Sequence, residues 1–156
     1  MLKELPQCAI AHFACHGAAD QADPTRSHLL LHDYATAPLT ITSLGSVRLE
    51  HAQLAYLSAC RTAFHGSGAL LDEAVHLASA FQLAGFPQVI GTLWEIDDPI
   101  AVTVADAFYT HLRTRPDNPT LDTARAAHAL HHAIRALRHE RPNLPSLWTA
   151  YLHAGA

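Results

Sequence analysis

Three short apolar runs, separated by helical patterns, are the feature that most constrains the fold of this chain. They cover residues 7–15 (QCAIAHFAC), 52–59 (AQLAYLSA) and 88–94 (QVIGTLW). Nearly continuous apolar runs of this length are typical of strands buried on both faces, as in a parallel sheet. A shorter strand is predicted at residues 28–32, followed by a turn and a small hairpin.

The segments between and after these runs have the periodicity of helices. Residues 70–84 are apolar all round, which predicts a buried helix. A second helix is predicted to begin at Asp98, because Asp is a good N-cap and Pro99 suits the first helical turn. A third is predicted over residues 120–141, and a last short element over residues 147–153. Strands alternating with helices predict an α/β domain with a mostly parallel sheet.

Length and composition limit the class of protein. The 156 residues predict one domain, and a hydrophobic fraction of 49% with 15% charged residues is enough for a core and excludes a disordered chain. The net charge of −4 gives no electrostatic reason to expect nucleic acid or an anionic membrane as a partner. No apolar run reaches about 18 residues and no signal peptide is recognisable, so we expect a cytoplasmic protein.

The cysteines and histidines give few metal-site candidates. The three cysteines, at positions 8, 15 and 60, do not form a disulfide framework or a C-x-x-C pair. Among the thirteen histidines, His128 and His132 have the i, i+4 spacing of metal ligands on a helix. No glutamate completes an H-E-x-x-H motif and no third ligand is evident. A solvated helix face is the preferred interpretation, and no metal or cofactor is expected.

Each of the three apolar runs leads into chemically reactive side chains. His16 follows the first run, Cys60 follows the second, and the acidic segment 95–98 (EIDD) follows the third. Ligands bind at the carboxyl ends of the strands in open α/β sheets. If the three strands are parallel neighbours, the sequence predicts that this histidine, cysteine and acidic segment share one crevice.

A histidine and a cysteine in one crevice suit thiol acyl transfer. The thiolate of Cys60 would be the nucleophile, and His16 would take its proton and return it to the leaving amine. The backbone N–H groups of Gly17 and Cys60 would hold the oxyanion. Cys60 follows His16 by 44 residues. Caspases carry Q-A-C-[RQG]-G about 50 residues after their histidine, and residues 58–62 (SACRT) share its central Ala-Cys-Arg.

The same motifs resemble those of the CHAT domains, a family related to caspases and separases. Residues 12–17 (HFACHG) look like the family's catalytic-histidine motif, and residues 57–62 (LSACRT) look like its catalytic-cysteine motif. Arg61 replaces a more usual acidic or amide residue. Further similarity covers the helix–strand segment that ends at Trp94, Asp98, residues 126–137 and Trp148.

The resemblance implies a fold, a function and partners. It implies the carboxyl-terminal portion of a caspase-like, three-layer α/β sandwich over residues 1–156, because complete CHAT domains have strands and helices before the histidine strand. It also implies a cysteine endopeptidase that cleaves protein or peptide substrates through an acyl-thioester on Cys60 and is regulated by other domains. Related CHAT domains often follow tetratricopeptide repeats, so repeat domains in a parent chain are possible partners.

Several residues have alternative interpretations. Cys60 could be a buried small hydrophobe, although its context favours the nucleophile. Cys15 should point away from the site if the first strand continues through it. Ser58 lacks the G-x-S-x-G context of a serine nucleophile.

The acidic segment predicts a pocket for a basic substrate side chain, as in separases. Asp97 is the preferred contact and Glu95 is less favoured. Asp98 is the least favoured of the three, because capping of the helix explains it without a substrate.

Two other functions stay open at this point. A CHAT-like module without activity could serve regulation or interaction, and a metal-binding domain built on the many histidines is the weakest candidate.

Overall fold

Strands and helices alternate along the chain. The computed structural model describes residues 1–18, 20, 22–58, 69–114 and 120–155. Its strands are β1 (Ile10–Phe13), β2 (His16–Ala18), β3 (His28–Leu30), β4 (Leu39–Thr40), β5 (Leu54–Leu57), β6 (Gln88–Thr92) and β7 (Tyr151–Gly155). Its α-helices are α1 (Ile41–Gly45), α2 (Ala69–Ala84), α3 (Asp98–Leu112), α4 (Ala126–Glu140) and α5 (Pro145–Trp148).

The three apolar runs form neighbouring strands of one sheet. Its strand order is β1-β5-β6-β7, in which β1 pairs parallel with β5, β5 pairs parallel with β6, and β7 is antiparallel to β6. The main sheet is therefore mixed, with its parallel part where the sequence predicts it. The strand predicted at residues 28–32 is β3. It lies in a separate, small antiparallel sheet of order β2-β3-β4, in which β3 and β4 form a hairpin.

Both faces of the main sheet are covered by helices. All four residues of β5 are buried, and successive side chains point to opposite faces. Ala55 and Leu57 belong to a hydrophobic cluster with α1 and α2, whereas Leu54 and Tyr56 belong to a second cluster with α3 and α4. Burial on both faces explains why β5 and β6 lack the polar alternation of a half-exposed sheet, whereas β1 alternates and leaves His12 exposed. Among the described helices, none is long and apolar enough to cross a membrane.

A glycine makes the sharp turn from α2 into β6. Gly85 has φ of 126°, a conformation that residues with a side chain rarely adopt. A Cβ atom there would lie 2.5 Å from the backbone oxygen of Leu49, while the N–H of Leu49 donates to the carbonyl of Ala84 at 2.8 Å. The close approach of these two segments therefore requires glycine at this position.

The aromatic contacts of Phe81 in α2 predict a large stability effect. Phe81 is fully buried, and its ring centroid lies 5.2 Å from that of Phe13 and 5.8 Å from that of Phe86. Phe81→Ala should lower the free energy of unfolding by about 3–5 kcal/mol, because it removes these contacts and leaves a cavity. Leu83→Ala is the matched control, since Leu83 is 83% exposed on the same helix and should change it by less than about 0.5 kcal/mol. If urea denaturation showed the same loss of unfolding free energy in both variants, the buried packing of Phe81 would be contradicted.

Candidate active site

A cleft of about 590 Å³ opens where the parallel strands end. Residues of the first two strand ends line it, and the acidic segment and the first turns of α3 form its other wall. The lining residues are His12, Ala14, Cys15, His16, Leu30, Ser58, Thr92, Glu95, Ile96, Asp98, Ala101, Val102 and Ala105. Its volume is within the range of small-molecule and peptide side-chain pockets.

His16 lies where the chain passes from one sheet to the other. β1 ends at Phe13, and after two intervening residues His16 begins β2, where it pairs with Leu30 of the small sheet. This change of sheet leaves the imidazole exposed at the cleft and anchors its backbone in a strand. His16 thus lies on the carboxyl side of β1, at the start of the next strand.

The end of β5 lies beside the end of β1. The N–H of Ser58 donates to the carbonyl of Phe13 at 3.0 Å, so the parallel pairing extends one residue beyond β5. Ser58 lines the same cleft as His16. Cys60, the predicted nucleophile, and Arg61 lie outside the described residues. The structure thus brings His16 together with the segment that leads directly into Cys60.

A second histidine, His12, also lines the cleft, and the sequence analysis did not single it out. Its ring centroid lies 4.7 Å from that of Tyr56 and 5.6 Å from that of Tyr109. The loss of hydration against these rings lowers the pKa of His12 below its usual value. Strand alternation could have revealed it, because His12 and Tyr56 are register partners on the face opposite Phe13.

Cys15 belongs to the wall of the cleft. The sequence predicted that it would point away if the first strand continued, but β1 ends at Phe13 and Cys15 reaches the cleft as well as the core around α2. Burial raises the pKa of its thiol to about 11, so at neutral pH it is protonated and weakly nucleophilic.

The acidic residues divide between the cleft and the start of α3. Glu95 and Asp98 line the cleft, whereas Asp97 is not among its lining residues in the described part of the chain. The N-cap of α3 is Asp97, with no hydrogen bond from its side chain, and Asp98 is the first helical residue. The prediction that Asp98 is the N-cap is therefore wrong by one position, because the non-helical backbone at Asp97 ends the preceding loop.

The loop that carries the acidic residues is fixed by its neighbours. The indole N–H of Trp94 donates to the carbonyl of Ser146 at 2.8 Å, and the N–H of Leu93 donates to the carbonyl of Ala150 at 2.7 Å. These bonds connect the residues after β6 to α5 and to the residue before β7. They fix the segment between β6 and α3, in which Glu95 and Asp98 line the same cleft as His16.

Side chains that could bind a metal ion do not cluster in the described part of the chain. Across the ranges that the structure describes, no group of three or more histidine, cysteine, aspartate or glutamate side chains is arranged to hold a metal ion. The spacing of His128 and His132 therefore does not extend to a ligand set in this part of the chain.

The fold and the cleft define an α/β protein whose candidate active site lies at the carboxyl ends of parallel strands. The family model of the CHAT domain matches residues 1–156. The chain therefore belongs to the CHAT domain family, which is related to the caspase-like proteases. A comparison with curated proteins finds no match.

The environment of His12 predicts that acidification weakens the fold. Its pKa is lower in the native chain than in the unfolded chain, so below about pH 6.5 the unfolded chain binds the proton first. The free energy of unfolding should fall as the pH drops through about 6.5 and level off below the native pKa. His12→Phe, which keeps a ring against Tyr56, should show a weaker pH dependence than the wild type in urea titrations. The exposed His51→Gln is the control, and a wild-type pH dependence in both variants would contradict this prediction.

Proposed function

We propose that this chain carries the catalytic dyad of a cysteine endopeptidase, with Cys60 as the nucleophile and His16 as the acid and base. The observation that carries the proposal is the shared cleft of His16 and Ser58 at the ends of two parallel strands. Two peptide units span at most about 7 Å, so the covalent chain keeps residue 60 in the neighbourhood of Ser58. Membership of a family related to caspase-like proteases supports the same chemistry.

The reaction would proceed in two acyl-transfer steps. His16 would accept the proton of the Cys60 thiol, and the thiolate would attack the scissile carbonyl carbon. Backbone N–H groups of Gly17 and Cys60 would donate to the oxyanion. Collapse of the tetrahedral intermediate would break the C–N bond, and the leaving amine would take the proton from the imidazolium. Water, deprotonated by the same imidazole, would then hydrolyse the thioester and regenerate the thiol.

The fold fits this proposal. Clusters of buried side chains on both faces of a sheet with parallel central pairs support a three-layer sandwich of the caspase type. In such a fold the sheet edge supplies the reactive residues and the helices exclude water from its faces.

The other histidine and cysteine of the cleft fit supporting roles. His12 packs against two tyrosine rings and has a lowered pKa, which makes it a weaker acceptor of the thiol proton than an ordinary imidazole. Cys15 has a pKa raised to about 11, which makes its thiolate scarce at neutral pH. We therefore assign His12 and Cys15 to the wall of the cleft and the acyl transfer to His16 and Cys60.

The opposite wall of the cleft suits a basic substrate side chain. Glu95 and Asp98 supply carboxylates, and Ile96, Ala101 and Val102 supply an apolar surface for an aliphatic stem. We therefore propose that cleavage follows Arg or Lys. The sequence favoured Asp97 as the contact, but the position of Asp98 and Glu95 in the cleft makes them the better candidates.

Substitution of the two cysteines tests the assignment of the nucleophile. In the complete protein, Cys60→Ala should lower kcat by at least about 10³-fold, because it removes the covalent route. His16→Ala should be similarly damaging. Cys15→Ala is the matched control and should retain most of the peptidase activity, measured with fluorogenic peptides. Equal loss in the Cys15 and Cys60 variants, with folding intact by circular dichroism, would show that the nucleophile is misassigned.

Substrate pairs test the acidic wall. A peptide with Arg before the scissile bond should be cleaved with a higher kcat/KM than the same peptide with citrulline, its neutral analogue. Asp98→Asn should reduce this preference roughly five- to a hundredfold, because losing a charged partner costs about 1–3 kcal/mol. Glu95→Gln tests the second carboxylate, and Asp97→Asn is the control.

The pattern of losses decides the assignment. A preference that Asp97→Asn removes and Asp98→Asn leaves intact would return the role to Asp97. If the enzyme cleaves after Asp or ignores charge, the pocket assignment fails, although the dyad could stand. Absence of any peptidase activity in the complete protein would favour the inactive regulatory module.

A further inference from the structure

A second concave surface lies at the other end of α3, and nitrogen-containing side chains line it. This groove has a volume of about 410 Å³ and is formed between α3 and α4. Its titratable and charged lining residues are His111, Arg113, Arg125, His128 and His132. The proposed active site uses the first turns of the same helix, so the two sites are separate.

The groove is lined by cationic and titratable side chains. In the part of the chain that the structure describes, no carboxylate lines it. Asp122 accepts a hydrogen bond from the N–H of Ala124, the exposed Asp106 is not among the lining residues, and Asp117 lies outside the described residues. The whole chain has a net charge of −4, so this positive groove is a local feature of an acidic protein.

The histidines of the groove are close enough to influence one another. The ring centroids of His111 and His132 are 5.0 Å apart, and those of His131 and His132 are 5.9 Å apart. Partial desolvation lowers the pKa of His132, and the charges of His111, His131, Arg135 and His128 lower it further. Each of these neighbours is cationic when charged. Protonation of the groove therefore concentrates like charges, and a bound anion would offset them.

The two arginines indicate which anion fits. Arg125 donates from Nη1 to the carbonyl of Arg113 at 3.4 Å, which places both residues at the carboxyl end of α3. Guanidinium groups bind the oxygens of phosphate in a planar, two-pronged arrangement, and protonated imidazoles add further N–H donors. Five cationic or titratable groups around one groove match a ligand with several negative charges.

We propose that the groove between α3 and α4 binds the phosphate groups of a small polyphosphorylated ligand, and that binding strengthens as the pH falls. Its five groups are His111, Arg113, Arg125, His128 and His132. Guanidinium groups stay charged at every accessible pH, and an imidazole gains a positive charge and a second N–H donor when it is protonated. Binding of the anion and protonation of the histidines therefore promote each other.

Calorimetry with tripolyphosphate tests this proposal directly. The full chain should bind tripolyphosphate at least about tenfold more tightly near pH 5.5 than near pH 7.5, with uptake of protons in buffers of different ionisation enthalpy. His111→Gln/His132→Gln should remove most of the pH dependence. Arg113→Gln should weaken binding at both pH values, and raised salt should weaken it in every variant. His51→Gln is the matched control, because that exposed histidine lies outside the groove.

Several results would overturn the proposal. These are the absence of tripolyphosphate binding near pH 5.5, or binding that the histidine and arginine variants leave unchanged. Two further ligands are tested separately. One is a vesicle that contains a phosphorylated inositol lipid, and the other is a polyglutamate peptide in solution. Binding to either one without binding to tripolyphosphate would assign the groove to a membrane or to an acidic protein. None of these substitutions affects the cleft of His16, so failure here would leave the peptidase proposal standing.

Discussion

The parallel pairing of β1, β5 and β6 is the constraint on which the rest of the structure depends. β5 and β6 are buried on both faces and β1 on one, so the buried backbone groups must be satisfied by neighbouring strands within the sheet. Parallel pairing sends all three chains out at the same edge. The cleft, the position of His16 and the acidic wall that contains Asp98 follow from that one arrangement.

The elements of the main sheet could be predicted from sequence because burial on both faces leaves a direct apolar pattern. That the three strands are parallel neighbours was a condition of the predicted site, and the structure supplies it. In the small sheet, a strand at residues 28–32 and a hairpin were predicted but β2 was not, because a strand of three residues leaves little pattern. α4 begins at Ala126, later than periodicity suggests, because the side chain of Asp122 caps a short 3₁₀ turn first. Such local hydrogen bonds leave little trace in hydropathy.

The candidate site was predictable in outline, since His16 and the acidic segment directly follow apolar runs. Its finer chemistry depends on where β1 ends. The strand stops at Phe13, which turns Cys15 into the cleft, and the register with β5 sets His12 against Tyr56. A change of one residue in register would exchange the two faces of a strand. Sequence patterns locate a strand more accurately than they locate its last residue. The positions of Cys15 and His12 in the cleft were therefore not predicted.

The central claim is that Cys60 is an activated thiol governed by His16. A peptidyl acyloxymethyl ketone with Arg beside its reactive group, followed by peptide mapping in a mass spectrometer, tests this most directly. The account predicts a single adduct on Cys60 in the complete protein, formed much more slowly in the His16→Ala variant, with Cys8 and Cys15 unmodified. Modification of Cys15 in place of Cys60, or labelling of Cys60 that does not depend on His16, would contradict it.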